Sequence, residues 1–263
     1  MDPLVSVIIP VKKYHLLLER CLSSIRSSGY RPLEILVIAR NSSDVLRETA
    51  DIYGARLIQA PVGRSTAKNI GVSESRGIYV LFMDHDHEIA WGTIKSCVSK
   101  CLEGYEAVKI PEEFVGWGFW GRSSATWKNT MAQAWGEEGG IPRFYLKKKL
   151  TARFREDAIW WEDQEHYNRL SDEGIQVDWS EGSLIHHESG DLRGIISSYM
   201  VYGRSTKRIE QKELLYNEKA LLTLKTLKTL FKREPISLPL FLGTITITFI
   251  KGISFLLGAL RDK

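Results

Sequence analysis

The segment from Leu81 to Trp91, LFMDHDHEIAW, carries four metal-binding side chains in consecutive positions directly after an apolar run. Asp84 and Asp86 alternate with His85 and His87. Carboxylate oxygens and imidazole nitrogens are common protein ligands of Mg²⁺, Mn²⁺ and Zn²⁺. The pattern is consistent with four features: a metal site for a phosphate-bearing substrate, a hydrolase centre, a metal site for nucleic acid, or a solvated turn.

Further acids and histidines lie later in the chain. Glu162 and Asp163 follow two tryptophans, near the start of a helix predicted within residues 157–174. Helix capping explains these acids, because the helix dipole favours negative charge near the N-terminus. A dry pocket that holds one catalytic carboxylate explains them at least as well. His186 and His187, in LIHHESGD, offer two more ligands.

Alternating strand-like and helix-like segments position the first group of residues. We predict strands at 4–11, 33–39, 55–60 and 78–83, and helices at 16–28, 44–53 and 65–75. This alternation predicts a doubly wound α/β sheet with right-handed crossovers. Ligands of such sheets bind beyond the carboxyl ends of the strands. We therefore expect the segments 84–86 and 41–44 at that edge.

Residues 116–150 differ in composition from the preceding segments, with several tryptophans and glycines and few aliphatic side chains. We predict a loop for this region. It either packs on the body of the protein through its tryptophans or contacts a sugar or an acceptor.

The C-terminal part of the chain is basic and then apolar. Residues 217–233 predict an amphipathic helix with an apolar stripe and with lysines on its other faces, as in helices that lie on a membrane surface. The stripe consists of Leu221, Leu224, Leu227 and Phe231.

Residues 235–260 carry a single charge, Lys251, and exceed the roughly 20 residues needed to cross a bilayer. A transmembrane helix, with Lys251 snorkelling towards one interface, is favoured over a buried or interfacial helix. The excess of lysine and arginine before this segment predicts a cytosolic catalytic body.

Composition limits the remaining choices. The chain has 263 residues, a formal net charge of +4 and 43% hydrophobic residues, as expected for one globular domain with an appendage. This mild charge gives no argument for nucleic acid as a partner. Three cysteines without a CxxC pair indicate a reducing compartment, and Cys97 and Cys101 are predicted to pack in the core. No cleaved signal peptide is visible at the N-terminus.

Five segments in order carry a family resemblance: VSVIIPV, LEILVIARNSSD, GRSTAKNIGVSESRGIYVLFMDHD, GIPRFYLKKKL followed by WWED, and IHHESG. In this order and spacing the chain resembles the family-2 inverting glycosyltransferases with the GT-A fold. The resemblance implies a doubly wound mixed sheet with a Rossmann-like nucleotide-binding half. It divides the chain into a catalytic domain at 1–190, amphipathic interface helices at 191–234 and a transmembrane or membrane-embedded helix at 235–260.

The resemblance also implies contacts with a nucleotide-sugar donor. Pro10 and Val11 start the nucleotide pocket, Asp44 closes the turn beneath it, and Asn41 contacts the donor at the same edge. The remaining donor contacts are Arg64, Lys68 and Asn69 on one helix, Asp84 near the ribose, His85, Glu162, and Arg204 towards the diphosphate.

A divalent cation, Mn²⁺ or Mg²⁺, is implied on Asp86. Asp84 and His187, or alternatively His186, complete its ligands. A hard cation held by oxygen ligands neutralises the charge that develops on a departing nucleoside diphosphate. Asp163 is implied as the general base that takes the proton of the acceptor hydroxyl. One base on the face opposite the leaving group implies inversion.

The resemblance, the basic helix and the apolar segment together predict transfer of a hexose to a lipid-linked acceptor at the cytosolic face of a membrane. Polyprenyl or dolichyl phosphate would carry the acceptor, as in glycan or N-glycan precursor assembly. Ala39 and Arg40 replace two acids of many relatives, which favours GDP-mannose over a UDP-sugar. The alternatives are a UDP-sugar-dependent transferase, a metal-dependent hydrolase built on the Asp and His cluster, and a non-catalytic membrane adaptor.

Overall fold

The computed structural model describes residues 2–61, 63–136, 139–158, 161–206, 212–232 and 236–261, with backbone only for 212–220. The bounds Arg233 and Pro235 of two predicted segments lie outside the described residues. The chain divides into two compact units. The first contains residues 1–112, 141–156 and 161–185, and the second contains 113–140, 157–160 and 186–263.

The described residues contain ten strands. They are β1 Val5–Val11, β2 Leu33–Ala39, β3 Arg56–Gln59, β4 Tyr79–Phe82, β5 His87–Ile89, β6 Ala107–Lys109, β7 Glu112–Gly116, β8 Phe144–Leu146, β9 Val177–Trp179 and β10 Leu184–Glu188.

Nine α-helices lie in the described part of the chain. They are α1 Leu16–Arg26, α2 Asp44–Ile52, α3 Arg64–Glu74, α4 Thr93–Leu102, α5 Gly118–Trp135, α6 Glu162–Asp172, α7 Leu192–Ser205, α8 Lys212–Lys232 and α9 Leu238–Leu260. Each strand and helix predicted before residue 84 is present, with ends that differ by a few residues at most.

The first unit is built on a seven-stranded sheet with the order β3-β2-β1-β4-β8-β6-β9. Strand β1 is parallel to β2 and β4, so that Val7 lies opposite Ile35 and Leu81. Strand β8 is antiparallel to its neighbours β4 and β6. The predicted doubly wound mixed sheet is confirmed. A smaller sheet has the order β5-β10-β7.

Helices cover both faces of the large sheet, as the near-continuous hydrophobic runs of its strands require. One core cluster packs side chains of α1, α2 and α4 against the sheet, and the other packs side chains of α3 and α6. Cys97 is fully buried in the first cluster and Cys101 packs beside it, which confirms the predicted core packing.

The predicted loop at 116–150 is wrong, because α5 occupies eighteen of its residues. Small side chains, among them Gly121, Ser123, Ser124 and Ala125, form much of the buried face of α5. Ser123 and Ser124 lie against α9 and let it approach closely. A composition rich in glycine, serine and tryptophan indicated a loop, although here it serves close helix packing.

The second unit is mainly helical, with α8 and α9 packed on α5 and with α7 packed along α9. In the described part of the chain, α9 is the helix long and apolar enough to cross a membrane. The prediction that Lys251 snorkels is wrong. Its side chain is 5% exposed, and its ammonium group donates to Ser124 Oγ at 2.5 Å.

Candidate functional site

The carboxyl ends of β2, β1 and β4 lie side by side, and several predicted site residues follow them. Pro10 and Val11 end β1, in register with Ile38 and Ala39 of β2. Asn41 follows β2 and is exposed. The structure therefore brings the predicted nucleotide residues of these strands to one edge.

Asp44 is the first residue of α2, whose N-terminus is capped by Ser43. The Ser43 hydroxyl accepts the Leu46 N–H at 3.3 Å. The Asp44 side chain is exposed at the same edge of the sheet, because α2 begins shortly after the carboxyl end of β2.

Asp84 follows β4 and lies beside a histidine and an arginine. Its Oδ2 lies 3.6 Å from His87 Nε2 and 3.6 Å from Arg143 Nη1. The backbone N–H of Asp84 donates to His87 Nδ1 at 3.1 Å. Burial opposes ionisation of Asp84, but His87, Arg64 and Arg143 outweigh it and hold the pKa of this carboxyl well below its usual range.

Arg143 is a residue of this site that the sequence analysis missed. Besides Asp84, its guanidinium group contacts Glu112, which accepts from Nε. Burial opposes the charged form, but Glu112 and Asp84 outweigh it and raise the pKa of Arg143. The Arg143 carbonyl accepts the Phe82 N–H at 2.8 Å, which fixes this residue beside the end of β4. Arg143 therefore holds two carboxylates at once.

Helix α3 carries Arg64 and Lys68 and packs tightly on the sheet. A Cβ added to Gly71 would lie 2.4 Å from Ile8 Cγ2, so the close approach of α3 to β1 requires glycine here. Lys68 is 3% exposed. A buried ammonium group is unfavourable unless it is paired, so its partners define the chemistry of this helix.

The partners of α3 are the two acids that begin α6. Lys68 donates to the Asp163 carboxylate, and its Nζ lies 3.6 Å from Glu162 Oε1. Arg64 Nη1 lies 3.3 Å from the same Glu162 oxygen. Burial and the neighbouring Asp163 raise the pKa of Glu162, although Lys68 and Arg64 oppose that shift. Arg64, Lys68, Glu162 and Asp163 thus form one cluster, called the α3–α6 charge cluster below.

The residue before this cluster, Trp161, has a left-handed backbone with φ of 70°. Such a conformation is unfavourable for a bulky side chain and is concentrated at functional sites. Trp161 directly precedes Glu162 and Asp163, the first two residues of α6. Of the two acids, Glu162 is almost fully buried, whereas the Asp163 side chain is 30% exposed. Asp163 is therefore the acid that a substrate can reach.

The buried Asn69 side chain is hydrogen-bonded to the segment that precedes α6. Its amide nitrogen donates to Phe154 O at 2.9 Å and its amide oxygen accepts the Phe154 N–H at 2.9 Å. A further bond of 3.1 Å reaches Glu156. These bonds anchor the segment before α6 to α3. The predicted contact of Asn69 with a donor stays a prediction.

The remaining residues of the DHDH segment lie on the short turn into β5. Ligand atoms of Asp86 and His87 lie within 4.8 Å of each other. The ring of His85 packs edge-on against His15, with ring centroids 5.8 Å apart. Carboxylate oxygens with one imidazole are a donor set that suits Mn²⁺ and Mg²⁺, so the residues present fit a divalent cation.

His186, His187 and Arg204 belong to the second unit. His187 is 5% exposed and stacks flat on Trp117, with ring centroids 4.8 Å apart. His186 packs on Phe114 and is more exposed. Arg204 is exposed on the last turn of α7. Their predicted parts in metal and diphosphate binding stay predictions.

Comparison with known proteins gives a family match over most of the first unit. Residues 6–170 match the family model described as Glycosyl transferase family 2. The chain is 29% identical to the GalNAc(5)-diNAcBac-PP-undecaprenol beta-1,3-glucosyltransferase of Campylobacter jejuni over 179 residues, which are 59% of this chain and 56% of that protein. It is 29% identical over 130 residues to the uncharacterized glycosyltransferase EpsJ of Bacillus subtilis, covering 47% of this chain and 36% of EpsJ. The chain thus spans about half the length of these curated relatives or less.

Two solved structures share the fold. The mannosyltransferase PcManGT from Pyrobaculum calidifontis, in complex with GDP-Man and Mn²⁺, aligns with a TM-score of 0.65 at 17% identity. That alignment covers 100% of this chain and 88% of PcManGT. Staphylococcus aureus TarS 1-349, in complex with UDP-GlcNAc, aligns with a TM-score of 0.55 at 15% identity over 92% of this chain and 79% of TarS. At these identities the likeness concerns the fold alone.

Proposed function

The chain belongs to glycosyl transferase family 2 and is a glycosyltransferase, and on that premise we propose that it moves a hexose from a nucleotide-sugar to a lipid-linked acceptor with inversion. The observation that carries the proposal is the α3–α6 charge cluster. In it the Asp163 carboxylate, which is 30% exposed, accepts from Lys68, and Arg64 pairs with the adjacent Glu162. Both cations are suited to a diphosphate.

Arg64 and Lys68 bind the donor diphosphate in this proposal. Guanidinium and ammonium groups are common ligands for phosphate oxygens. In the structure both cations are neutralised by the acids of α6. The donor phosphates compete with these carboxylates for the same cations. Donor binding therefore draws Lys68 away from Asp163.

Asp163 acts as the general base. A carboxylate within hydrogen-bond reach of the acceptor hydroxyl takes its proton as the new glycosidic bond forms, and the bond to the nucleotide breaks on the opposite face. Release from Lys68 leaves Asp163 ready to accept this proton. Glu162 is buried and serves to hold Arg64 and Lys68 in place.

A divalent cation, Mn²⁺ or Mg²⁺, fits beside this cluster. Asp86 is the proposed main ligand, with Asp84 and a histidine of β10 as further ligands. His187, or alternatively His186, is that proposed histidine ligand. When bound, the cation supplies neutralisation of the charge on the leaving diphosphate. Arg143 keeps the Asp84 carboxylate turned towards the site.

GDP-mannose is the favoured donor. Ala39 at the end of β2 is buried and has no carboxylate to offer a uracil ring, and Arg40 beside it is exposed. Structural neighbours include one complex with GDP-Man and one with UDP-GlcNAc, so a UDP-sugar is the second candidate. A metal-dependent hydrolase built on the Asp and His cluster would leave the contact between Lys68 and Asp163 unexplained.

The acceptor is proposed to carry a polyprenyl or dolichyl phosphate. The name of the Campylobacter jejuni relative specifies an undecaprenol-linked substrate, and α9 offers an apolar surface near which such a lipid can lie. The protein is accordingly proposed to work at a membrane, with its catalytic domain in the cytosol.

A donor panel tests the proposal. The purified chain is heated with GDP-mannose and a set of UDP-sugars, with Mn²⁺ or with a chelator. A bound donor raises Tm, since a ligand at 100 times its Kd stabilises by about 2.7 kcal/mol. One donor is expected to do so only with the cation, because the proposed site holds the diphosphate through the metal. Asp86→Ala should lose the effect, whereas Asp51→Ala, an exposed acid at the end of α2, should keep it. Absence of any donor-induced shift contradicts the proposal.

A further inference from the structure

Helix α9 has an inverted amphipathic pattern. Its buried positions hold mainly small or polar residues, and its exposed positions hold large apolar ones. The buried set is Gly243, Thr244, Ile247, Lys251, Ser254 and Gly258. The exposed set includes Leu238, Leu242, Phe249, Ile253, Leu256, Leu257 and Leu260. A water-soluble helix shows the opposite arrangement.

Specific contacts fix this orientation within the second unit. Lys251 donates to Ser124 Oγ at 2.5 Å, and Ser124 in turn donates to Glu188 Oε2 at 2.5 Å. Glu188 also pairs with Lys128 of α5. A Cβ on Gly258 would lie 2.1 Å from Met200 O of α7, so α9 and α7 are in close backbone contact. Rotating α9 about its axis would break these hydrogen bonds and move Lys251 out of its polar contacts.

Helix α8 continues the apolar surface. Three residues of the predicted apolar stripe, Leu221, Leu224 and Phe231, are 57–69% exposed. The ring of Phe231 lies 5.3 Å from that of the half-buried Phe241, so apolar side chains of α8 and α9 meet at this point. We call this surface the α8–α9 apolar face. Contiguous exposed apolar patches above a few hundred Å² usually mark an interaction site.

The positive charge on α8 indicates an anionic partner for this face. Lys225, Lys228 and Lys232 are exposed on α8, on the same helix as the exposed leucines and Phe231. Lysines beside large apolar side chains fit an anionic lipid surface, where the ammonium groups reach headgroup phosphates while the apolar side chains enter the acyl boundary.

The partners of α9 argue against a transmembrane path. Helix α7, in backbone contact with α9, has 14 residues, fewer than the roughly 20 that cross a bilayer. It exposes Arg193, Ser197, Ser198 and Arg204 to solvent. A bilayer placed around α9 would therefore surround these polar groups too, which is unfavourable.

We propose that the α8–α9 apolar face lies flat on an anionic membrane surface, with α9 in the plane of the interface and both of its ends on one side. This deepens the proposed function, because it names the surface at which a lipid-linked acceptor would reach the chain. The proposal predicts binding to vesicles without any donor or acceptor.

Vesicle binding is the first test. The full chain is mixed with vesicles of phosphatidylcholine alone or with phosphatidylglycerol, and bound protein is measured by flotation. Binding should be at least about tenfold stronger with the anionic lipid. Phe249→Glu with Ile253→Glu should weaken it by a similar factor, whereas Leu102→Glu, equally exposed on α4, should not. Equal binding to both lipids, or no effect of the α9 pair, overturns the proposal.

Topology is the second test. Ser237→Cys and Arg261→Cys, which flank α9, are reacted with a membrane-impermeant maleimide on sealed anionic vesicles. Both positions should react, because an in-plane helix leaves both ends outside. Protection of one position until detergent is added would show a spanning helix and overturn the proposal. Donor-induced thermal shifts of the same variants are measured in parallel, so failure of docking is distinguished from failure of the proposed function.

Discussion

The ammonium group of Lys68 donates to the carboxylate of Asp163, and this contact joins helix α3 to the first turn of helix α6. The Lys68 side chain is 3% exposed and that of Asp163 is 30% exposed. The pair unites a proposed diphosphate ligand with the proposed general base. In the proposed function, donor binding and release of the base are linked through the Lys68 side chain.

Lys68→Met should destabilise the fold. The variant keeps the length of the side chain but leaves Glu162 and Asp163 as adjacent acids, with Arg64 as their remaining partner in the cluster. We expect a loss of about 2–3 kcal/mol in the free energy of unfolding, less than for a fully buried pair because Asp163 is partly solvated. Urea unfolding measures this loss. Arg56→Met removes the exposed pair with Glu74 and should cost about 0–1 kcal/mol. Similar losses for both variants would show that burial of Lys68 is unimportant.

Arg143→Met should weaken donor binding at least about tenfold, equivalent to about 1.4 kcal/mol. The reason is that Asp84 and Glu112 lose the guanidinium group that orients them. The measurement is the donor concentration needed for half of the maximal thermal shift. The control is Arg169→Met, which removes an i,i+4 pair with Glu165 on α6. Unchanged donor affinity in a folded Arg143→Met protein would assign Arg143 to structure alone.

Stability should fall in acid through Glu34. Burial opposes its ionisation, but hydrogen bonds from Ser6 and Arg76 outweigh it and lower the pKa of Glu34 below its ordinary value. A lowered folded-state pKa means that the carboxylate stabilises the fold above the unfolded value of about 4.3, and that this contribution disappears as the pH falls through the folded value. Unfolding free energy measured from pH 7 to pH 3 should drop more for the parent protein than for Glu34→Gln. Parallel curves for the two proteins would contradict this role.

The first four strands follow from the sequence for a physical reason. Runs such as VSVIIPV and LEILVIA are almost entirely apolar because helices cover both faces of the sheet. A continuous apolar run in the sequence therefore predicts a strand that is buried on both faces. The positions of Asp84 and Asp163 were predicted in the same way, since each stands at the end of an element with a clear pattern.

Other features depend on pairing between distant segments. Arg143 reaches Asp84 because the short strand β8 lies antiparallel to β4, and a three-residue strand gives little local signal. The contact of Lys68 with Asp163 joins residues 95 positions apart. Mean hydropathy predicts a membrane-spanning helix at α9. The burial of its small and polar residues, such as Lys251, becomes visible only once the packing is known.

The central claim is that Asp163 is the base for sugar transfer. Its most direct test is the transfer rate of Asp163→Asn with the donor identified by thermal shift and a polyprenyl phosphate acceptor in detergent. We predict a fall of about 10²–10⁴ in kcat, with the donor-induced shift retained, because the amide keeps the shape but cannot take the proton. Glu165→Gln, in the same helical turn, should stay within about twofold of the parent protein. A fully active Asp163→Asn protein would contradict the account.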